Sequence, residues 1–192
     1  MFLLEIKQAK EILGPEFSLI FDLLNPIIHD LKLSKEAKIL DIGTGKGRMS
    51  ISLALNNYKV ITGEPESDNS EYAQQAWLED AKKVKVDHLI NFKPFNAEQI
   101  PFKDKSLDAI FIMGALHHID DKAATIKECI RTIKTNSVIC IFEPTIKGIK
   151  IIRKGFPTHP DAVDPRVYTQ NLRLSVEIKK NFMFNAFIFR KN

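Results

Sequence analysis

Residues 40–50 read LDIGTGKGRMS, and this stretch decides the fold. It begins inside KILDI at 38–42, a short apolar run with β-branched residues that predicts a buried strand. The apolar spacing of RMSISLALNN at 48–57 predicts a helix. The glycines between them therefore occupy a strand-to-helix turn, where glycine lets the backbone turn tightly and approach a ligand. In a sheet of this kind, the first such turn is where a nucleotide-like ligand binds.

Two common glycine motifs are excluded at this turn. The dinucleotide-binding pattern GxGxxG, counted from Gly43 and Gly45, requires a third glycine where the chain has Arg48. The phosphate-binding pattern GxxxxGK[ST] does not occur in the sequence. The pattern that remains is DxGxGxG, in which Asp41 lies two residues before the first glycine.

Strands and helices alternate from residue 38 to residue 143, which predicts an α/β fold with a doubly wound, mostly parallel sheet and helices on both faces. After 38–42, further strands are predicted at 58–63, 88–95, 106–113 and 137–144, and further helices at 70–85 and 120–134. Residues 172–192 contain two alternating apolar runs around Lys-Lys-Asn, which predicts a C-terminal antiparallel β-hairpin.

The two ends of the chain depart from this alternation. Residues 1–36 have helical spacing, with a break expected at Gly14-Pro15 and a kink or split at Pro26. Residues 145–165 contain several Gly and Pro residues and are expected to be mostly loop. We predict one domain over 1–192, with an N-terminal helical cap at 1–36, a core at 37–143, and a basic loop and hairpin at 144–192.

Composition narrows the class of protein. A chain of 192 residues with 44% hydrophobic and 27% charged residues is ordinary for one globular domain, and excludes a disordered, fibrous or disulfide-stapled chain. Cys129 and Cys140 are expected to be buried core residues, since neither belongs to a CxxC pair. The sequence offers no apolar run long enough to span a bilayer and no signal peptide, so a cytoplasmic location is expected.

Charge is distributed unevenly. Residues 1–143 carry 18 basic and 21 acidic side chains, a net charge of −3, whereas residues 144–192 carry 10 basic and 3 acidic side chains, a net charge of +7. A basic C-terminal quarter is compatible with an anionic partner, and equally with a solvated lysine-rich surface.

Four segments, in order, resemble the class I S-adenosylmethionine-dependent methyltransferases, and most closely the small-molecule branch typified by ubiquinone and menaquinone biosynthesis. The similarity covers about residues 38–143. It is carried by AKILDIGTGKG at 37–47, VITGE at 60–64, FNAEQIPFKDKSLDAIF at 95–111 and MGALHHID at 113–120.

The resemblance implies a Rossmann-like, seven-stranded sheet, S-adenosylmethionine as cofactor and S-adenosylhomocysteine as product. Asp41 would favour the cofactor's amino group or, alternatively, would cap the glycine loop. Glu64 would accept hydrogen bonds from the ribose hydroxyls, with Glu66 as the competing acid. Asn96 stands where the family commonly has Asp. The full set of implied cofactor-binding residues is Asp41, Gly43, Thr44, Gly45, Gly47, Glu64, Asn96, Ala97 and Gly114.

The acceptor side is less defined. His117 is the candidate general base, because it follows the fourth strand and histidine exchanges protons near neutral pH. A packing role or a hydrogen bond to the cofactor remains the alternative. Substrate candidates are Phe17, Phe21, His118 and Lys147, with core packing as the alternative for the two phenylalanines. The spacing of His29, His88 and His159 suggests no metal site.

These residues favour an enzyme that methylates a small molecule, with an anionic acceptor as one candidate. An RNA methyltransferase using the basic C-terminal quarter is a less favoured alternative, since no separate RNA-binding domain is evident. A third alternative is a non-catalytic cofactor-binding subunit, because the region after the fifth strand is short. Either a monomer or a homodimer is compatible with the sequence.

Overall fold

The computed structural model describes residues 5–68, 70, 76–170 and 172–191. Within these ranges it contains five α-helices and seven β-strands. The helices are α1 (Ile6–Asp30), α2 (Arg48–Leu55), α3 (Trp77–Lys83), α4 (Lys122–Thr132) and α5 (Ile146–Ile152). The strands are β1 (Ile39–Ile42), β2 (Val60–Gly63), β3 (Ile90–Phe92), β4 (Leu107–Met113), β5 (Ile133–Pro144), β6 (Leu174–Lys180) and β7 (Phe184–Lys191).

The strand order in the sheet is β3-β2-β1-β4-β5-β7-β6. Strands β1, β2 and β3 pair in parallel, as do β4 and β5, whereas β7 is antiparallel to both β5 and β6. The predicted mostly parallel, seven-stranded sheet with a C-terminal antiparallel hairpin is therefore confirmed. The chain has two compact units, Met1–Phe95 and Asn96–Asn192, which are described in turn. The division of the chain into domains stays a prediction.

In the first unit, helices α1, α2 and α3 and strand β3 share a hydrophobic core. All four residues of β1 are buried, as expected for a central parallel strand. The rings of Phe17 and Phe21, one turn apart on α1, lie with their centroids 5.9 Å apart. The core members include Ala9, Phe17, Phe21, Ile51, Ala54, Leu55, Ala81, Val84, Val86 and Ile90.

Helix α1 breaks where the sequence predicts, at Gly14, whose φ of 84° is incompatible with a continuous helix. The helix is not split at Pro26, because helical backbone continues from Pro15 to Asp30, and a kink there stays a prediction. Proline at this place removes one backbone hydrogen bond. The buried side chains of Leu24, Ile27 and Ile28 on either side compensate for that loss.

In the second unit, β4 and β5 form the parallel pair and the hairpin of β6 and β7 extends it. Helix α4 begins at Asp121, whose carboxylate accepts a hydrogen bond from the Ala124 backbone N–H at 2.8 Å. The helix ends at Thr132, two residues earlier than predicted, because Ile133 already pairs with Leu107 as the first residue of β5.

Residues 145–165 are mostly irregular, as expected, but residues 146–152 form helix α5, which the sequence did not predict. The Thr145 hydroxyl caps it by accepting from the Gly148 N–H at 3.0 Å. Gly148 does not break the helix. It allows close packing, because a Cβ atom there would lie 2.3 Å from the Met183 carbonyl oxygen. The rest of the segment is irregular, with a 3-10 turn at Pro165–Tyr168.

The cysteines, the third helix and the hydrophobicity of the helices bear on the remaining expectations. Cys129 and Cys140 are fully buried, as predicted. The predicted helix at 70–85 is observed as α3, and its first part, residues 71–75, lies outside the described residues, as do residues 1–4 of the N-terminal cap. Among the described residues, no helix has the length and hydrophobicity that crossing a membrane requires.

Candidate functional site

The glycine loop between β1 and α2 adopts a backbone path that favours glycine. Gly43, Gly45 and Gly47 have φ angles of 85°, 46° and 68°, in the left-handed region. Gly43 N–H donates to the Gly63 carbonyl at 2.9 Å, which ties the loop to the end of β2. Gly47 then begins α2, and its carbonyl accepts from the Ile51 N–H at 2.8 Å.

Asp41, the acid of the motif, is a buried carboxylate held by hydroxyl groups. Its side-chain Oδ2 accepts hydrogen bonds from Ser50 Oγ, at a short distance, and from Thr62 Oγ1 at 3.0 Å. Its other oxygen, Oδ1, is buried without a hydrogen-bond partner. Because burial disfavours the charged form more strongly than the two hydroxyls favour it, the pKa of Asp41 is raised from 3.8 to about 7.

Glu64 follows β2 and turns back to the glycine loop. Its Oε2 accepts a hydrogen bond from the Gly45 backbone N–H at 2.9 Å, and the residue is only 7% exposed. Glu66, the competing acid, is exposed. Beside them, the hydroxyls of Thr44 and Thr62 lie 2.9 Å apart and share a hydrogen bond. The first unit thus places both sequence-predicted acids, Asp41 and Glu64, around one glycine loop.

The remaining cofactor candidates belong to the second unit. The side chain of Asn96 accepts a hydrogen bond from the Glu98 N–H at 2.9 Å, which forms a local turn, and Ala97 beside it is buried. Gly114 follows β4 with a φ of 60°, and its N–H donates to the Phe142 carbonyl at 2.8 Å. A Cβ atom built at Gly114 would meet no heavy atom within 4 Å, so its surroundings are open.

His117 lies in a 3-10 turn directly after β4 and is buried against Glu143 of β5. His117 Nδ1 lies 2.8 Å from Glu143 Oε2, which also accepts from the Val163 N–H at 3.1 Å. The second carboxylate oxygen, Glu143 Oε1, is buried without a hydrogen-bond partner. A buried carboxylate thus fixes the orientation of the His117 ring, which is a recurrent arrangement in reactive histidines.

A second histidine completes this cluster. His117 Nε2 faces His159 Nε2 at 3.3 Å, and His159 Nδ1 lies 2.9 Å from the Pro160 carbonyl oxygen. Burial lowers the pKa of His159 below its usual range. The ring of His118 packs against both, with centroids 4.3 Å from His117 and 5.0 Å from His159. Sequence reasoning missed His159 and Glu143, because His159 is 42 residues from His117 and belongs to no spaced motif.

The substrate candidates fall in three different surroundings. Phe17 and Phe21 are 4% and 2% exposed within the core of the first unit, which supports the packing alternative. His118 belongs to the histidine cluster. Lys147 lies exposed on α5, and its Nζ is 5.7 Å from the centre of the Phe182 ring, within cation–π range.

Comparison with known proteins agrees with this geometry. A family model described as "Methyltransferase domain" matches residues 40–141, which is more than half of the chain. This match begins within β1 and ends within β5, and it includes the glycine loop, Glu64, Asn96 and His117.

Two curated relatives are methyltransferases for different small molecules. The chain is 30% identical over 104 residues to 27-O-demethylrifamycin SV methyltransferase of Amycolatopsis mediterranei, covering 54% of this chain and 37% of that protein. It is 25% identical over 128 residues to demethylmenaquinone methyltransferase of Clavibacter sepedonicus, covering 67% of this chain and 49% of that protein. The chain therefore spans less than half the length of these relatives.

Solved structures show the same fold at low identity. A putative S-adenosylmethionine-dependent methyltransferase of Methanococcus maripaludis is 20% identical with a TM-score of 0.71, covering 97% of this chain and 91% of that one. The PH0226 protein of Pyrococcus horikoshii is 15% identical with a TM-score of 0.73, covering 96% of this chain and 95% of that one. With the family match, these findings mean that the chain belongs to the methyltransferase-domain family, whose cofactor is S-adenosylmethionine.

Proposed function

We propose that this protein transfers a methyl group from S-adenosylmethionine to a small-molecule acceptor. The position of Glu64 is the observation that carries the proposal. This nearly buried carboxylate accepts a hydrogen bond at 2.9 Å from the N–H of Gly45, the middle glycine of the loop. An acid at the end of the second strand of such a sheet is suited to accept hydrogen bonds from both hydroxyls of a ribose.

The residues of the first unit fit this cofactor. The left-handed glycine loop leaves the backbone of residues 43–47 without side chains, apart from Thr44 and Lys46, so a ligand can lie close to it. Asp41 adds a buried carboxylate with an oxygen that lacks a hydrogen-bond partner. Negative charge there favours the positively charged methionine moiety, which carries an ammonium and a sulfonium group.

The cofactor supplies an activated methyl group when it is bound, and the protein's task is to bind and orient. We assign ribose binding to Glu64 and electrostatic stabilisation of the methionine moiety to Asp41. Backbone contacts are assigned to the glycine loop with Thr44 and to Gly114. Asn96 and Ala97 are assigned to the adenine, for which the Asn96 amide and the Ala97 N–H have the necessary donors and acceptors.

His117 is the residue that we assign to the acceptor. Its Nδ1 is committed to Glu143, so Nε2 is the nitrogen available for chemistry. As a base, it would take the proton of an acceptor hydroxyl or thiol while Glu143 stabilises the resulting imidazolium. Such a role requires the acceptor to replace His159, which now lies 3.3 Å from that nitrogen.

The acceptor itself we infer to be a small, anionic molecule. The relatives named above act on small molecules, and the cations Lys147 and Lys150 are exposed on α5. A carboxylate or phosphate on the acceptor would complement them. The competing acceptor, RNA, would bind through the same basic region, and its binding would weaken steeply as salt is raised.

Calorimetric titration of the purified protein with S-adenosylmethionine and, separately, with NAD is the direct test. We expect binding of S-adenosylmethionine alone. Glu64→Ala should weaken it at least tenfold, because a buried carboxylate that bonds both ribose hydroxyls contributes more than about 1.4 kcal/mol. Glu66→Ala is the matched control, since this exposed acid lies two residues further on and should leave affinity unchanged.

Gly45→Val tests the loop by a different physical effect. A β-branched side chain at a φ of 46° strains the loop. We expect loss of cofactor binding with the thermal transition preserved. Unchanged affinity in both Glu64→Ala and Gly45→Val would refute this binding site.

A further inference from the structure

The histidine cluster of the second unit has an unusual electrostatic feature. His159 Nδ1 faces the Pro160 carbonyl oxygen, which can only accept a hydrogen bond, so Nδ1 carries the proton. In the neutral ring, His159 Nε2 is then an acceptor with its lone pair directed outward.

His117 has the same arrangement of donor and acceptor nitrogens as His159. Its Nδ1 faces Glu143 Oε2, an oxygen that already accepts from the Val163 N–H, so Nδ1 donates to the carboxylate. The lone pair of neutral His117 is therefore also on Nε2. Two acceptor nitrogens thus face each other at 3.3 Å, in a buried place, which is repulsive unless a cation lies between or beside them.

We propose that His117, His118 and His159 form a binding site for a divalent first-row transition metal of the Zn²⁺ class, with Glu143 as the carboxylate that positions His117. One ligand atom from each histidine lies within 4.8 Å of the other two. Three neutral imidazoles are the ligand set that zinc takes in many catalytic sites, where the fourth position stays open.

The distances fit this assignment. Two nitrogens bound at about 2.0–2.1 Å to a tetrahedral metal are about 3.3 Å apart. His117 Nε2 and His159 Nε2 already have this separation. His118 needs only a shift of its ring, because it is the most exposed of the three histidines.

The surroundings match those of known metal sites. A metal-bound histidine usually donates its other ring N–H to a carboxylate or to a backbone carbonyl. His117 has the first kind of partner, Glu143, and His159 has the second, Pro160. The nearby cation Arg153 pairs with Asp161 at 2.9 Å and donates to the His159 carbonyl oxygen at 2.8 Å.

Charge favours a metal as well. Glu143 is buried, its Oε1 has no hydrogen-bond partner, and in its ionised form it places one negative charge beside His117. A buried charge requires a compensating charge nearby. A divalent ion on His117 and His159 would supply it through the His117 ring. A metal on His117 Nε2 would take the place of the base role proposed for that nitrogen. The competing assignment is a single proton on His117 Nε2, shared with His159, and titration with metal separates the two.

The site is tested without any methyl transfer, so its outcome is independent of the proposed activity. Protein without a polyhistidine tag is stripped with a chelator and titrated with Zn²⁺ against a chromophoric competitor, and with Co²⁺ in the visible region. We expect one metal per chain and the intense d–d bands of a tetrahedral Co²⁺ site.

Variants locate the metal. His159→Ala and His118→Ala should each abolish the one-to-one binding. Glu143→Gln should weaken binding by about 10–100-fold and shift the Co²⁺ bands, as expected when a carboxylate partner of a ligand is lost. His29→Ala is the matched control, since His29 lies exposed on α1, and it should bind as the parent does. Circular dichroism confirms that each variant is folded.

Two results would overturn the proposal. The first is the absence of Zn²⁺ binding at one equivalent in the folded protein, which would assign the cluster to a shared proton. The second is equal Zn²⁺ affinity in His159→Ala and His29→Ala. Calorimetry with S-adenosylmethionine on the same chelator-treated protein reports separately on the proposed function.

Discussion

Two buried carboxylates, one in each unit, have the same hydrogen-bonding pattern and different partners. Asp41 Oδ2 accepts from the hydroxyls of Ser50 and Thr62, and Glu143 Oε2 accepts from His117 and from the Val163 N–H. Among the described residues, the second oxygens of these two acids are the buried side-chain polar atoms that lack a partner. Hydroxyls offer Asp41 no charge, whereas the imidazole of His117 can offer Glu143 a full positive charge.

The two acids illustrate two ways in which a protein stabilises a buried carboxyl group. Burial raises the pKa of Asp41 to about 7, so this acid is mostly protonated below neutral pH and gains its negative charge only near pH 7 and above. Glu143 instead faces the ring of His117, a group that can accept a proton or a metal. The first acid suits a site that responds to an incoming cation, and the second suits the proposed metal site, in which a cation binds the ring that the acid orients.

The pH dependence of stability gives the largest effect that distinguishes the two acids. The folded pKa of Asp41, about 7, lies above the unfolded value of 3.8, so the folded state binds more protons between these values. Stability is therefore lost as pH rises from about 4 to about 7. At about 1.4 kcal/mol per pH unit, Asp41→Asn should gain about 3 kcal/mol relative to the parent between pH 5 and pH 8.

Urea denaturation of the parent and of Asp41→Asn at four pH values measures this difference. The amide keeps an acceptor oxygen for Ser50 and Thr62, so the hydrogen bonds are matched and the charge alone is removed. Parallel stability curves for the two proteins would mean that Asp41 is not the titrating group.

Truncation of the two acids to alanine should destabilise the protein by unequal amounts, and the loss at Glu143 is nearly as large as the pH effect at Asp41. Glu143→Ala leaves two buried donors, His117 Nδ1–H and the Val163 N–H, without an acceptor, and should cost about 3 kcal/mol. Asp41→Ala should cost less, because hydroxyls rotate to other acceptors, as the Thr44–Thr62 contact at 2.9 Å already offers.

Chemical denaturation in the presence of a chelator compares these variants free of any bound metal. Glu143→Gln is the control, since its amide oxygen can still accept from both donors. Equal losses for Glu143→Ala and Asp41→Ala would contradict the distinction between the two acids.

The contrast between the two acids also explains which parts of the fold and of the site the sequence could predict. Asp41, Glu64 and the glycine loop lie within one strand-turn-helix-strand segment, so their proximity follows from local structure. The strand assignments rest on the same local periodicity, and most were right. Asn96 and Gly114 could be named only through the family's motifs.

The histidine cluster depends on long-range contacts that have no local pattern. His159 follows helix α5. The glycine and proline residues of 145–165, Gly148 among them, predict a loop at the position of this helix. The helix is fixed by contacts with a turn nearly forty residues later, where the Thr145 N–H donates to the Met183 carbonyl at 2.8 Å and the Thr145 hydroxyl to the Phe182 carbonyl at 2.6 Å. Tertiary packing of this kind cannot be deduced from glycine content alone.

The smallest predicted effect is a proton released when the cofactor binds. A cationic ligand near Asp41 favours its ionised form and lowers the raised pKa. Below pH 7, binding should release up to one proton, and affinity should increase with pH and level off above about 7. Calorimetry at pH 6 in two buffers of different ionisation enthalpy measures the proton count. Asp41→Asn should remove the release, whereas Glu143→Gln should leave it in place if the two acids serve separate sites. Equal proton release in the parent and in Asp41→Asn would assign the proton to another group and separate Asp41 from the cofactor's charge.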